Sequence, residues 1–295
     1  MKNTVFKGFA TAMITPMTSA GVDYDTLARF IEFQIESGIH GLVAVGTTGE
    51  SATLTPEERK AVIRFTVKQV NGRVPVIAGC GTNNTEHVLD FTKAACDDGA
   101  DGILVVTPYY NKATQGGLIA HYTAIADVSE KPIILYNVPT RTGCNLLPDT
   151  VATLADHPMI AGIKEASGNM AQVVEIFAKC GDKIDVYSGE DGITVPMLAM
   201  GGAGCISVLS NVVPGMAAEM ANKFFTGDIA GAAALQTKTL GLTNALFCEV
   251  NPIPAKAAVA AMGFGTEYLR LPLTPMEPKN RERLFAEMRK LEVIK

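Results

Sequence analysis

Short apolar runs recur along the chain at near-regular intervals: Phe9 to Ile14, Gly41 to Val45, Val74 to Ala78, Gly102 to Val106, Ile133 to Tyr136, Ile160 to Ile163, Asp185 to Tyr187 and Gly204 to Val208. Each has strand length, and the segments between them carry helical signals. Asp23 to Glu36 places Leu27, Phe30, Ile31 and Ile35 at helical spacing. Thr55-Pro56-Glu57-Glu58 reads as an N-cap, a proline at the first helical position and early acids, followed by Ala61, Val62 and Phe65 on one face. Strands that alternate with helices imply a parallel sheet covered by helices.

Eight such units in about 220 residues predict a closed (β/α)8 TIM barrel rather than an open doubly wound sheet. The open sheet usually carries a nucleotide fingerprint after its first strand, and Thr15-Pro16-Met17-Thr18 is not one. Beyond residue 226 the strand signals stop. Ile229 to Leu246, Pro252 to Met262 and Lys279 to Leu291 read as helices. The expected organisation is a barrel domain over residues 1–226 and a small all-helical C-terminal region over 227–295, packed on the barrel because no low-complexity linker separates them.

Composition narrows the function. The chain has 295 residues, 47% of them hydrophobic, and a net charge of −5, which suits a buried core and argues against nucleic acid. Ile193 to Ala218 lacks charge but is cut by Pro196, Gly201, Gly202, Gly204, Pro214 and Gly215, so a buried helix, strand and turn fit it better than a membrane span. Lys2 and Lys7 precede no uninterrupted apolar stretch, so no secretory signal is expected. Cysteines 80, 96, 144, 180, 205 and 248 form no C-x-x-C pair and read as reduced thiols of a cytoplasmic protein.

In a barrel of this kind the site is built at the C-terminal ends of the strands. Lys164 closes the run Met159 to Ile163 and opens the turn Glu165-Ala166-Ser167-Gly168. Tyr136 stands in the same relation to Pro132 to Leu135, 28 positions earlier, about one strand-helix unit. Lysine and phenol could therefore share one end of adjacent strands, the arrangement that imine (Schiff-base) chemistry on a carbonyl substrate requires. An attacking amine must be neutral, and burial among apolar neighbours favours that form. A surface lysine at a helix start is the plainer alternative.

The second strand ends in Gly46-Thr47-Thr48-Gly49-Glu50-Ser51, which reads as an ordinary polar turn or as an anion cradle of two hydroxyls and free N–H groups. Arg141, five residues past Tyr136, is either a surface group or a fork for a carboxylate. Tyr109 and Tyr110 follow the fourth strand, and Ser188-Gly189-Glu190-Asp191 follows the seventh, where the acids read as helix N-terminal charges rather than metal ligands. Histidines 40, 87, 121 and 157 show no metal-ligand spacing, so a metal-dependent aldolase is disfavoured.

Together, Gly46-Thr47-Thr48-Gly49-Glu50, Tyr136-Asn137-Val138-Pro139 and Lys164-Glu165-Ala166-Ser167 resemble the signatures of the dihydrodipicolinate synthase / N-acetylneuraminate lyase superfamily of pyruvate-imine barrels. The resemblance spans essentially the whole chain, including Asn251-Pro252-Ile253-Pro254-Ala255-Lys256 and Leu271-Pro272-Leu273-Thr274-Pro275. The double threonine, Arg141 and the Asn-Pro-Ile-Pro segment are similar to the synthase branch rather than the sialate lyases.

That resemblance implies a lyase of lysine and diaminopimelate biosynthesis that joins pyruvate to L-aspartate 4-semialdehyde without a cofactor. The alternative is a class I aldolase for sialate or 2-keto-3-deoxy sugar acids. It further implies that Lys164 forms the imine and that Tyr136 is the acid/base, with Thr47 and Tyr110 completing a proton relay. Tyr110 would come from a neighbouring subunit of a homotetramer (a dimer of dimers). Thr48 would hold the pyruvate carboxylate, Arg141 the semialdehyde carboxylate, and backbone groups of Gly189 and Ile206 would shape the site. Lysine-inhibited relatives carry His at the position of Pro56 and Glu at that of His87. Here only Ser51, Asn83 and Tyr109 match that effector site, which leaves a possible remnant with His87 out of pattern and implies weak or absent feedback.

Overall fold

The computed structural model describes residues 2–295. Eight strands, β1 (Gly8–Ala12), β2 (Gly41–Ala44), β3 (Val76–Gly79), β4 (Gly102–Val106), β5 (Ile133–Asn137), β6 (Ile160–Glu165), β7 (Asp185–Ser188) and β8 (Gly204–Ser207), close into a barrel. Closure is direct: β1 pairs in parallel with β8 through Gly8↔Gly204 to Thr11↔Ser207, and with β2 through Ala10↔Gly41 to Ala12↔Val43. The TIM barrel expected from the apolar runs is the observed fold. A small hairpin, Met17–Thr18 with Gly21–Val22, lies outside the barrel and left no readable signal in the sequence.

The helices follow the signals that predicted them. In α1 (Tyr24–Glu36) Asp23 is the N-cap, accepting from the Thr26 N–H. In α2 (Pro56–Val70) Thr55 and Glu58 form a reciprocal capping box, with bonds of 3.2 and 2.9 Å, and Pro56 opens the helix. The other connecting helices are α3 (Thr85–Asp97), α4 (Gln115–Val128), the single turn α5 (Pro139–Thr142), α6 (Pro148–Leu154), α7 (Met170–Cys180), α8 (Thr194–Ala199) and α9 (Pro214–Phe225). Then come α10 (Ile229–Leu246), α11 (Ile253–Ala261) and α12 (Pro278–Lys290). No helix among the described residues is long and apolar enough to cross a membrane.

Strand parity divides the core in two, because successive side chains point to opposite faces. Ile133 and Leu135 join the large cluster between strands and helices, while Ile134 and Tyr136 join the cluster inside the barrel with Ala10, Val43, Leu104, Tyr187 and Ile206. The interior must balance size. Phe6 and Tyr187 stack at 4.4 Å, and Gly162 makes room for them: a Cβ there would sit 3.1 Å from the Tyr187 ring and 2.8 Å from the Asp185 carbonyl. Gly162 and Lys164 share parity, so the lysine points inward.

The C-terminal helices grip the turn after β2. Lys256 of α11, 1% exposed, pairs with the buried carboxylate of Glu50 and donates to the Tyr268 carbonyl at 2.7 Å. Arg270 donates to Glu58 at 2.5 and 2.6 Å and to the Thr53 carbonyl at 2.8 Å. The turn needs this support. Val45 (φ +58°) and Glu50 (φ +56°) are both left-handed, a conformation that costs about 1–3 kcal/mol for such residues. Gly79 permits it, because a Cβ there would lie 2.2 Å from the Val45 carbonyl oxygen.

All six cysteines are free. His121 of α4 is buried against Thr85, whose hydroxyl lies 2.9 Å from its Nδ1. Burial pushes the imidazole down to about 4 from an ordinary 6.5. Between those values the unfolded chain takes up a proton that the folded chain refuses. Stability owed to neutral His121 is therefore complete above pH 6.5 and is lost as pH falls toward 4. We expect His121→Asn to remove on the order of 3 kcal/mol of that acid-induced loss. Thermal melts of both proteins across this range would measure it, and parallel pH profiles would refute it.

Candidate active site

β5 and β6 are in a register that makes Tyr136 the direct partner of Lys164, and Asn137 that of Glu165. The lysine does not follow its strand, as the apolar run suggested. β6 continues through Glu165, so Lys164 is held by strand pairing on both sides, with Tyr136 and with Tyr187 of β7. The extension has a local cause: Glu165 accepts from Ser167 N–H at 2.7 Å, Asn137 Nδ2 at 3.0 Å and Gln172 Nε2 at 3.3 Å, which fastens the strand end to the next helix.

Lys164 is 5% exposed and Tyr136 7%, and the ammonium nitrogen lies 4.3 Å from the centre of the Tyr136 ring. Among the described residues no carboxylate is within ion-pair distance of Lys164, and its nitrogen has no hydrogen-bond partner. It opens into a cavity of about 510 Å3 at the C-terminal mouth of the barrel. Thr47, Thr48, Tyr136, Arg141, Lys164 and Gly189 all line this cavity. Gly189 is there for lack of a side chain: a Cβ would lie 2.9 Å from Lys164 Cε and 2.5 Å from Ala166 Cβ. Its N–H is already committed to the Glu165 carbonyl at 2.7 Å.

Thr48 is buried, and its Oγ1 accepts from Asn251 Nδ2 at 2.9 Å. Arg141 sits on the rim, on α5, and donates to the Asn251 carbonyl at 3.4 Å. Two residues named from the sequence fall outside the cavity. Ile206 is fully buried inside the barrel, the register partner of Ala10. Tyr110 is 89% exposed with φ +74° and does not line the cavity that holds Lys164. Among the described residues no hydrogen bond joins Tyr136 to Thr47.

Ser51 and Tyr109 line a second cleft of about 280 Å3 beside Thr47 and Arg141, whereas Asn83 and His87 do not. The Asn83 carbonyl accepts from Asn111, and His87 is exposed on α3. Asp191 acts as a terminal charge, as expected, but for the single helical turn Leu209–Asn211 rather than for its own segment. Its buried carboxylate accepts from the Val208 and Leu209 N–H groups, at 2.9 and 3.1 Å, and from Ser207. Desolvation pushes its carboxyl up, against those bonds. Asn251 was visible in the sequence only as part of a motif, because nothing local reveals that it reaches 203 positions back to Thr48.

A closed parallel barrel whose mouth presents a buried lysine against a tyrosine defines a class of protein, the lysine-dependent barrel lyases. The comparisons resolve that class further. The model of the dihydrodipicolinate synthetase family matches residues 5–291, and the chain belongs to that family. It is 50% identical over 290 residues to a curated 4-hydroxy-tetrahydrodipicolinate synthase of Geobacter sulfurreducens, covering 98% of this chain and all of the relative. A crystal structure of the chloride-inhibited dihydrodipicolinate synthase from Acinetobacter baumannii, complexed with pyruvate, superposes with a TM-score of 0.95 at 44% identity. That match covers 98% of this chain and 99% of the other. A solved dihydrodipicolinate synthase described as the first monomeric variant gives 0.96 at 41% identity, covering 98% of each.

The crowding at Gly189 predicts that Gly189→Ala displaces the lysine. Misplacing a side chain in a packed site costs about 1–3 kcal/mol, so the variant should form its pyruvate adduct about 5- to 150-fold less efficiently. Borohydride reduction followed by intact mass would show this. An adduct yield equal to wild type would mean that Lys164 tolerates the methyl group.

Proposed function

We propose that the cavity is where pyruvate and L-aspartate 4-semialdehyde are joined, with Lys164 as nucleophile. The observation that carries this is the unpaired, buried Lys164 amine over the Tyr136 ring at the mouth cavity. The chain is a lyase that condenses these two substrates to 4-hydroxy-tetrahydrodipicolinate, in the diaminopimelate route to lysine. The curated relatives carry that synthase name at 50% identity over the full length. This disfavours the sugar-acid aldolase alternative.

In the proposed sequence the Lys164 amine adds to the keto carbon of pyruvate and water leaves. The resulting imine is an electron sink, so a methyl proton is lost and an enamine forms. The enamine carbon attacks the aldehyde, whose oxygen takes up a proton. The amino group of the semialdehyde then attacks the imine carbon, the ring closes and Lys164 is released. In this scheme Tyr136 is the acid/base that moves these protons. Thr48, with one lone pair already used by Asn251, has its hydroxyl proton free for the pyruvate carboxylate. Arg141 faces the cavity with only a neutral carbonyl as partner, so its fork is available for the semialdehyde carboxylate. Gly189 makes room for the lysine, and Ile206, buried in the barrel interior below the cavity lining, has no direct part in this scheme.

Tyr110 fits this scheme only in trans. Its exposure and left-handed backbone suit a side chain that completes the relay, with Thr47 and Tyr136, in a neighbouring subunit of a homotetramer. We place the enzyme in the cytoplasm, consistent with its free cysteines.

Two experiments test the reading. With pyruvate fixed, the semialdehyde should be consumed and N-acetylmannosamine and glyceraldehyde should not. Arg141→Leu should lower kcat/KM for the semialdehyde by about 100-fold or more while sparing the reduced pyruvate adduct on Lys164. Turnover of a sugar acceptor would refute the assignment of Arg141. Separately, the mismatch at Pro56 and His87 predicts that L-lysine up to millimolar levels leaves the rate unchanged. Strong sub-millimolar inhibition would show that the second cleft is a working effector site.

A further inference from the structure

Two residues that line the main cavity carry a buried polar side-chain atom with no partner among the described residues, Asn251 at Oδ1 and Thr243 at Oγ1. Leaving such an atom dry and unpaired is unfavourable, so each needs a donor from outside the chain or a reason to lack one. Asn251 has the richer geometry. It is 5% exposed, its Nδ2 donates to Thr48 Oγ1 at 2.9 Å, and its backbone carbonyl accepts from Arg141 Nη2 at 3.4 Å. Because Nδ2 is spent on Thr48, the oxygen of the same amide is the end left for a ligand, and it can only accept.

We infer that Asn251 Oδ1 receives the α-ammonium of the aldehyde substrate, making Asn251 a specificity-determining residue. This rests on the proposed substrate pair. In an α-amino acid the carboxylate and ammonium sit on one carbon. A residue whose main chain touches the carboxylate-binding arginine is therefore the one whose side chain can reach the ammonium. Thr243 has no such link to Arg141. The amide also joins the two substrates, since its nitrogen holds the threonine proposed for pyruvate and its oxygen selects the amino group that must later close the ring.

The test compares two aldehydes at saturating pyruvate on the full chain. One is L-aspartate 4-semialdehyde. The other is succinate semialdehyde, which keeps aldehyde and carboxylate but has hydrogen in place of the ammonium. Asn251→Ala should lower kcat/KM for the first by about 10- to 100-fold, the range for one bond to a charged group. The inhibition constant of the second should change by less than about threefold. Parallel weakening of both would overturn the inference and leave Asn251 only a support for Thr48 and Arg141.

Asn251→Asp keeps an acceptor but loses the donor to Thr48. It should raise the pyruvate KM while retaining the preference for the aminated aldehyde, and loss of that preference would also overturn the inference. This second variant carries the test if the alanine protein fails to fold. Failure of the underlying reading looks different, since wild type would then not turn over the semialdehyde at all.

Discussion

The Glu50–Lys256 ion pair ties the C-terminal helices to a strained turn of the barrel, the one after β2. Burying two charges is expensive, and removing one partner of such a pair typically costs about 3–5 kcal/mol because the other is left uncompensated. The pair is therefore a poor device for stability alone. It specifies where α11 sits and so where Asn251 sits, two residues before that helix begins. Desolvation pulls the Lys256 ammonium down from its ordinary range while the Glu50 carboxylate opposes it, so the charge of this lysine depends on its partner. A turn held left-handed at both ends and an asparagine fixed against Thr48 are two consequences of one contact.

The same logic explains what the sequence made legible. The eight strands were readable because a parallel sheet covered on both faces needs continuous apolar runs, and each run landed on a strand within about two residues. Helix starts were readable from Thr55-Pro56 and Asp23 because caps are local chemistry. Tyr136 and Lys164 were readable as strand-end residues of adjacent units, and the register pairs them directly. What stayed hidden was set by distant partners. The extension of β6 past Lys164 depends on Glu165 meeting Asn137 and Gln172, and Asp191 serves a turn 17 positions further on. The need for glycine at 189 follows from the path of the lysine side chain, which no spacing rule encodes.

Strand parity then decides why this lysine is a reagent. One residue earlier or later, it would point into the helix-packed layer, which next to it on this strand is filled by Ile163. At position 164 it points into the barrel, above Gly162, where small residues leave volume at the mouth instead of packing it shut. A barrel interior is normally filled with branched side chains, and here Ala10, Ala12 and Gly162 leave space that Phe6 and Tyr187 reclaim lower down.

Charge completes the argument. The chain carries a net −5, yet the chemistry proposed for it brings two carboxylates into one cavity. Some surface cations are spent on neighbours: Arg73 on Glu32, Arg64 on Asp98, Lys179 on Asp149 and Lys183 on Asp156. Lys164 and Arg141 are not; among the described residues neither lies within ion-pair distance of a carboxylate, and the only hydrogen-bond partner of Arg141 is a neutral carbonyl. A low-dielectric mouth focuses the field of an uncompensated guanidinium far more than a wet surface would. What sets Lys164 and Arg141 apart is their place: they sit together at one cavity of an acidic protein. A carboxylate introduced beside Arg141 would therefore harm the site more than the loss of several surface lysines.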